Sequence, residues 1–125
     1  MRLRISWTEY SVTCVLNDTP TAKALWEALP YEEKAHRWGK EAFFSLPLDV
    51  APEAEAQQTV DAGTVCYWVE GQKLVFAFGP TPMSQDDRPT LVAPCNILGR
   101  LEDNPQKLAS LTEGDTVRVE KMDEN

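Results

Sequence analysis

Nine prolines distributed over 125 residues limit how far any regular element of this chain can run. Proline donates no backbone hydrogen bond and breaks helix interiors, so the fold has to be assembled from many short pieces. The pieces between the prolines are mostly of one kind. Leu3, Ile5 and Trp7 alternate with Arg2, Arg4 and Ser6, the period of a half-buried strand, and after a turn near Thr8–Tyr10 the run Ser11–Leu16 reads as its hairpin partner. The period then changes. Thr19 before Pro20 is a helix start, with a hydroxyl to cap free N–H groups and a proline that loses nothing at the first helical position. Ala22, Leu25, Trp26 and Leu29 supply one apolar helical face, and Pro30 ends it.

Arg37–Trp38 and Ala42–Leu48 read as two short strands around Gly39–Lys40, and Val50–Gln58 as a surface loop. Thr64–Val69 and Lys73–Phe78 form the clearest hairpin, joined through Glu70–Gly71–Gln72 with a glycine available for a positive φ. Gly79–Pro94, with four prolines, reads as a long loop, and Cys95–Leu101 as a strand. Asn104–Pro105 repeats the cap-plus-proline signal and opens a short helix with Leu108 and Leu111 on one face. Thr116–Met122 closes the pattern as a strand with Val117 and Val119 facing in. About eight short strands with two inserted helices predict a mainly β fold, a closed barrel capped by two short α-helices, in one domain over residues 1–125.

Composition narrows the function classes. The chain is 42% hydrophobic and 26% charged, with a formal charge of −8, so neither duplex DNA nor an anionic membrane is an expected partner. Residues 1–50 carry six basic and seven acidic side chains, whereas residues 51–125 carry six and thirteen. No stretch is long and apolar enough for a membrane span, and Met1–Tyr10 lacks a signal-peptide core. Cys14, Cys66 and Cys95 are odd in number, show no C-x-x-C spacing and lie in apolar runs. They read as buried free thiols suited to a reducing cytoplasm. With His36 the single histidine, neither a metal site nor another cofactor is expected.

The runs Thr21–Pro30, Arg37–Gly39, Glu41–Phe44, Gly63–Trp68, Phe78–Ser84 and Asn96–Arg100 together resemble a small bacterial and archaeal cyclophilin-like family, named for its fold and mostly uncharacterised. The resemblance spans nearly the whole chain in order and implies an eight-stranded barrel with two helices. True cyclophilins catalyse rotation about the bond preceding proline, whose barrier is about 18–20 kcal/mol. A guanidinium donating to the prolyl nitrogen and an apolar pocket for the ring suffice for that chemistry. In cyclophilins the catalytic arginine follows a histidine on the third strand. His36–Arg37 falls at the matching strand, with Phe43 and Phe44 on the next, while the phenylalanine–methionine–alanine run and its glutamine are missing.

Three readings of function follow. The first is a domain that binds a small molecule or short peptide in a groove on the side of the barrel, with Phe44, Tyr67, Phe78, Thr81, Met83 and Asn96 as binding residues. The second is a prolyl isomerase with Arg37 as electrophilic donor; otherwise Arg37 is a strand arginine paired with Glu41. The third is an accessory subunit of a larger enzyme assembly, and self-association or another protein partner is compatible with each. The proline-stiffened segment Gly79–Pro89 offers Thr81, Met83, Ser84 and Arg88 at low entropic cost, or else is a stiff crossover. Asn96, polar among apolar strand residues, either lines a pocket or satisfies loop backbone. Asp86 and Asp87 lack metal-loop spacing and read as solvated. In the Thr64–Val69 strand, Tyr67 and Val69 share one face and Cys66 and Trp68 the other, so one face is either less buried or covered by a loop or ligand.

Overall fold

Alternating segments become strands throughout the computed structural model, which describes residues 1–122. The elements are β1 (Arg2–Trp7), β2 (Tyr10–Leu16), α1 (Pro20–Ala28), β3 (Tyr31–Lys34), β4 (His36–Arg37), β5 (Glu41–Ser45), β6 (Gln57–Thr59), β7 (Thr64–Trp68), β8 (Lys73–Ala77), β9 (Thr90–Leu101), a 3₁₀ helix (Pro105–Ser110) and β10 (Thr116–Lys121). One antiparallel sheet runs in the order β3-β10-β1-β2-β9-β7-β8-β5-β4, and β6 pairs with β9.

The predicted closed barrel is corrected here: among the described residues the ladder stays open between β3 and β4. These end strands follow one another across Ala35 alone. The free edge of β3 is blunted by its own chemistry, because the Glu33 carboxylate accepts the Lys34 N–H at 2.8 Å and so occupies a donor that a ladder would need. The two edges approach through side chains instead. Tyr31 stacks on Phe44 of β5 with ring centroids 6.3 Å apart, and its hydroxyl donates to the Ser45 carbonyl at 3.0 Å.

Two of the ten strands were not expected: β3 lies just after the Pro30 helix stop, where no element was assigned, and β6 overlaps the end of the expected Val50–Gln58 loop. The sequence Tyr31-Glu-Glu-Lys34 has no apolar alternation, and Gln57–Thr59 is polar throughout, as short edge strands can be. β9 begins at Thr90 and takes in Pro94, which the loop reading had claimed. The proline is tolerated because the β6 pairing slips there: Gln57 faces Cys95 and Thr59 faces Thr90. The second helix is 3₁₀ rather than α, although Asn104 caps it as expected, accepting from Gln106 N–H at 3.0 Å. α1 agrees with the expectation, with the Thr19 hydroxyl accepting from Ala22 N–H at 3.3 Å.

Burial divides the sheet into two faces. Inward side chains of β1, β2, β5, β7, β8 and β10 (Ile5, Cys14, Phe44, Tyr67, Phe76 and Val119 among them) join Leu25 of α1 and Leu108 of the 3₁₀ helix in the main core. A second cluster lies on the outer face of β5-β8-β7-β9, where Cys66, Val75, Ala77 and Cys95 meet Val60 and Leu91, with Phe43, Trp68 and Ile97 at its margin. All three cysteines are free and buried.

The β2–β9 pairing depends on a close backbone approach at Gly99, which pairs with Leu16. A Cβ at that position would stand 2.1 Å from the Val15 carbonyl oxygen, a contact only backbone movement relieves. Gly99→Ala is therefore expected to destabilise the protein by about 2–3 kcal/mol, read as a lowered urea midpoint at unchanged m-value. A midpoint equal to that of the wild type would show that the strands separate without cost.

Candidate functional site

The period-2 geometry of β5 sends Ala42 and Phe44 into the main core, and Glu41, Phe43 and Ser45 to the outer face. There Glu41 and Phe43 join Trp38 of the preceding turn, Lys73 and Val75 of β8, Trp68 of β7, and Leu91, Val92 and Cys95 of β9 around a cavity of about 150 Å³. The turn is held by Trp38 N–H donating to the Glu41 carbonyl at 3.0 Å and Lys40 N–H donating to Pro80 at 3.0 Å. Trp68 lies across the β7–β8 turn, where a Cβ on Gly71 would fall 2.2 Å from the indole ring. Absence of a side chain at Gly71 thus sets the aromatic wall; the positive φ expected there belongs to Gln72 instead.

Glu41 is the one carboxylate of this lining and is only 5% exposed. It has no hydrogen bond or ion pair from its side chain to any described residue, so the pairing with Arg37 considered above does not form. No fully enclosed side-chain nitrogen or oxygen among the described residues lacks a partner, which leaves the Glu41 carboxyl opening into the cavity. Burial pushes its pKa up from 4.5 to about 7. Beside it the Cys66 thiol is in hydrogen-bond contact with Cys95, and that contact together with burial holds Cys66 well above the usual thiol range. A thiol so held is a poor nucleophile at neutral pH. No cluster of three or more metal-ligating side chains occurs among the described residues, and no helix there is long and apolar enough to cross a membrane.

Phe43 and Trp68, noted from sequence beside the arginine and on the strand face needing a cover, line this cavity, whereas the named site residues Arg37, Phe44, Tyr67, Phe78, Thr81, Met83 and Asn96 do not. Phe44, Tyr67 and Phe78 come together, but inside the main core. The Tyr67 hydroxyl donates to the Leu46 carbonyl at 2.7 Å and accepts from Leu48 N–H at 3.0 Å. Asn96 takes the loop-satisfying role: it accepts from Glu53 N–H at 2.8 Å and donates to the Ala51 carbonyl and the Thr21 hydroxyl, each at 2.9 Å. The Thr81 hydroxyl donates to the Thr90 carbonyl, and Thr81 N–H donates to Ser84 Oγ at 2.9 Å, so this segment is tied to itself. Met83 is exposed beside a shallow polar depression with Gln58, Thr59, Gln85 and Asp86.

Arg37 lies against the ring of Phe78, 4.9 Å from its centroid. Its guanidinium donates to the Gly39 carbonyl through Nε at 3.2 Å and Nη2 at 3.0 Å, and to the Leu111 carbonyl through Nη1 at 2.6 Å. His36, on the other side of the strand, hydrogen-bonds Glu113 and packs against Phe43 with centroids 5.5 Å apart. Glu113 is held below the usual carboxylate range by Arg37 N–H and by His36. Arg37 and the proline-rich segment are neighbours through the 38–40 turn: Gly39 receives the guanidinium and Lys40 binds Pro80.

The Cyclophilin-like family profile matches residues 1–120. This chain belongs to the Cyclophilin-like family. Its fold is similar to the solution structure of a hypothetical protein from Archaeoglobus fulgidus, with a TM-score of 0.81 and 32% identity over 98% of this chain and 95% of that one. No curated protein matches the sequence. The expected membership thus stands, and within this Cyclophilin-like chain the outer-face cavity has the concave apolar geometry of a binding site.

A buried acid whose pKa is raised in the folded state binds its proton more tightly there than in the unfolded chain. Its contribution to stability is present below the unfolded value of 4.5 and is lost as pH rises through about 7. Glu41→Gln removes that loss. The variant should gain on the order of 2 kcal/mol over the wild type between about pH 4.5 and pH 8, measured as the difference in urea unfolding free energy at each pH. A difference that does not vary with pH would mean that Glu41 ionises freely in the fold.

Proposed function

We propose that this protein binds a small organic molecule, or one terminal side chain of a short peptide, in the Trp38–Phe43–Trp68 cavity. The observation that carries this reading is an apolar cavity with three aromatic residues in its wall and a carboxyl that no described residue satisfies. Ligand pockets combine apolar walls with a few orienting polar groups in the same way. Binding is favoured over prolyl isomerisation because Arg37, the donor that reaction would use, already donates to the carbonyls of Gly39 and Leu111. A benzyl-sized group burying about 150 Å² of apolar surface would gain roughly 4 kcal/mol, which corresponds to a millimolar dissociation constant before any polar contact is counted.

Val92, half exposed at the mouth, allows a blocking substitution that leaves the core untouched. Titration with benzyl alcohol, benzylamine and benzoate, each to about 10 mM, should shift the indole N–H resonances of Trp38 and Trp68 for at least one probe, while those of Trp7 and Trp26 stay in place. Val92→Trp should abolish the response. Unmoved Trp38 and Trp68 resonances with all three probes would overturn the reading.

A further inference from the structure

Resting on that reading of the cavity, we infer that its ligand is an organic ammonium ion, with Glu41 as counter-ion and Trp38, Phe43 and Trp68 as the aromatic walls around the charge. Three observations converge on a cation. The first is Glu41, a residue only 5% exposed, whose carboxyl opens into the cavity and has no hydrogen bond or ion pair to any described residue. An unpaired charge in such a place is costly unless a counter-charge arrives.

The second is the wall. Aromatic faces carry negative quadrupole potential and attract ammonium groups within about 6 Å of the ring centre, and three aromatic residues line this small volume. The rest of the lining is largely apolar, and the Cys95 thiol already donates to the Ala93 carbonyl at 3.3 Å. A carboxylate ligand would find few donors here and the repulsion of Glu41.

The third is the placement of the one cationic side chain in the lining. Lys73 pairs with Ser45 across β5 and β8, whereas Glu41 pairs with Ala77, so the two backbone positions stand four residues apart along the strand, about 13 Å. Its ammonium donates to Ser45 Oγ at 2.9 Å, a bond that holds it toward that end. Lys73 therefore leaves Glu41 without a counter-charge.

Ionisation of Glu41 makes the ammonium site, so affinity should rise with pH while the ligand stays protonated. The groups facing Glu41 are the Cys66 thiol of β7, the Cys95 thiol of β9 and, at the far end, the Lys73 ammonium of β8; His36 of β4 reaches it only through Phe43 and is bonded to Glu113. His36 is separated further by its own exposed position on the strand.

The test compares benzylamine, benzyl alcohol and benzoate, a cation, a neutral molecule and an anion of similar size, by the Trp38 and Trp68 resonances at about pH 8. The expected result is benzylamine at least about 10-fold tighter than the other two, a preference that weakens toward about pH 5.5 and disappears in Glu41→Gln. Equal binding of benzylamine and benzyl alcohol would overturn the ammonium assignment while leaving the cavity a binding site. So would a benzoate preference, or a benzylamine preference that survives in Glu41→Gln. Benzyl alcohol binding that strengthens as pH falls would overturn it in favour of a neutral acceptor held by protonated Glu41. Silence from all three probes would overturn both readings together.

Discussion

The stretch β5-β8-β7-β9 buries apolar side chains on both of its faces. An antiparallel sheet ordinarily packs one side on a core and wets the other, but here Phe44, Tyr67 and Phe76 fill the main core while Val75, Cys66 and Cys95 are buried behind them. Something must cover the outer side, and the chain supplies β6 with Val60 and the start of β9 with Leu91. The segment between Gly79 and Pro89 then has to hold its shape to keep that cover in place. Its hydroxyls do so locally: Ser84 Oγ accepts from Thr81 and Thr90 N–H and donates to the Arg88 carbonyl. The cavity is the part of the outer face that this cover does not reach, between the Trp38 turn and Val92.

Local chemistry explains which parts of this arrangement could be read in advance. Alternation identified β1, β2 and the β7–β8 hairpin because each has at least one continuous apolar row, and alternation records burial. Cap-plus-proline pairs located both helix starts, since Thr19 and Asn104 act on N–H groups within three residues of themselves. The same signal does not distinguish α from 3₁₀. At the second site the Leu111 N–H donates to Leu108 within a six-residue helix, leaving little room for longer-range bonding. β3 and β6 escaped because an edge strand needs only one neighbour and no apolar row, and Pro94 because its unpaired position is created by a register slip against a distant segment.

The site was less legible because choosing a face is a non-local matter. Adjacent residues such as Phe43 and Phe44 must point oppositely on a strand, yet only the closing elements decide which side keeps an opening. Phe44 went to the core and Phe43 to the cavity margin. Arg37 attracted attention through the histidine before it, whereas its role in the fold is to join the 38–40 turn to the end of the 3₁₀ helix. The local sign that was read was the Cys66–Trp68 face of β7, which needed a cover or a ligand; Glu41, which shares a strand face with Phe43, was read only as a partner for Arg37.

Among the described residues Glu41 has no counter-ion, although Arg37 and Lys40 precede it in sequence and Lys73 lines its cavity. Arg37 is bound to the Gly39 and Leu111 carbonyls, and Lys73 to Ser45. Arg88 reaches Asp61 at 3.3 Å, and the stem of Lys40 lies against Gly79, where a Cβ would meet it at 2.6 Å. Arg37 and Lys73 are thus held by specific acceptors other than Glu41. A buried carboxylate with no partner among the described residues costs stability that a Gln of the same shape would recover, and such local costs concentrate where a site must remain open to something else. The double-sided burial of β5-β8-β7-β9 supplies the surplus against which that cost is set, so the same constraint that encloses the outer face also allows one ionisable group within it to stay unsatisfied.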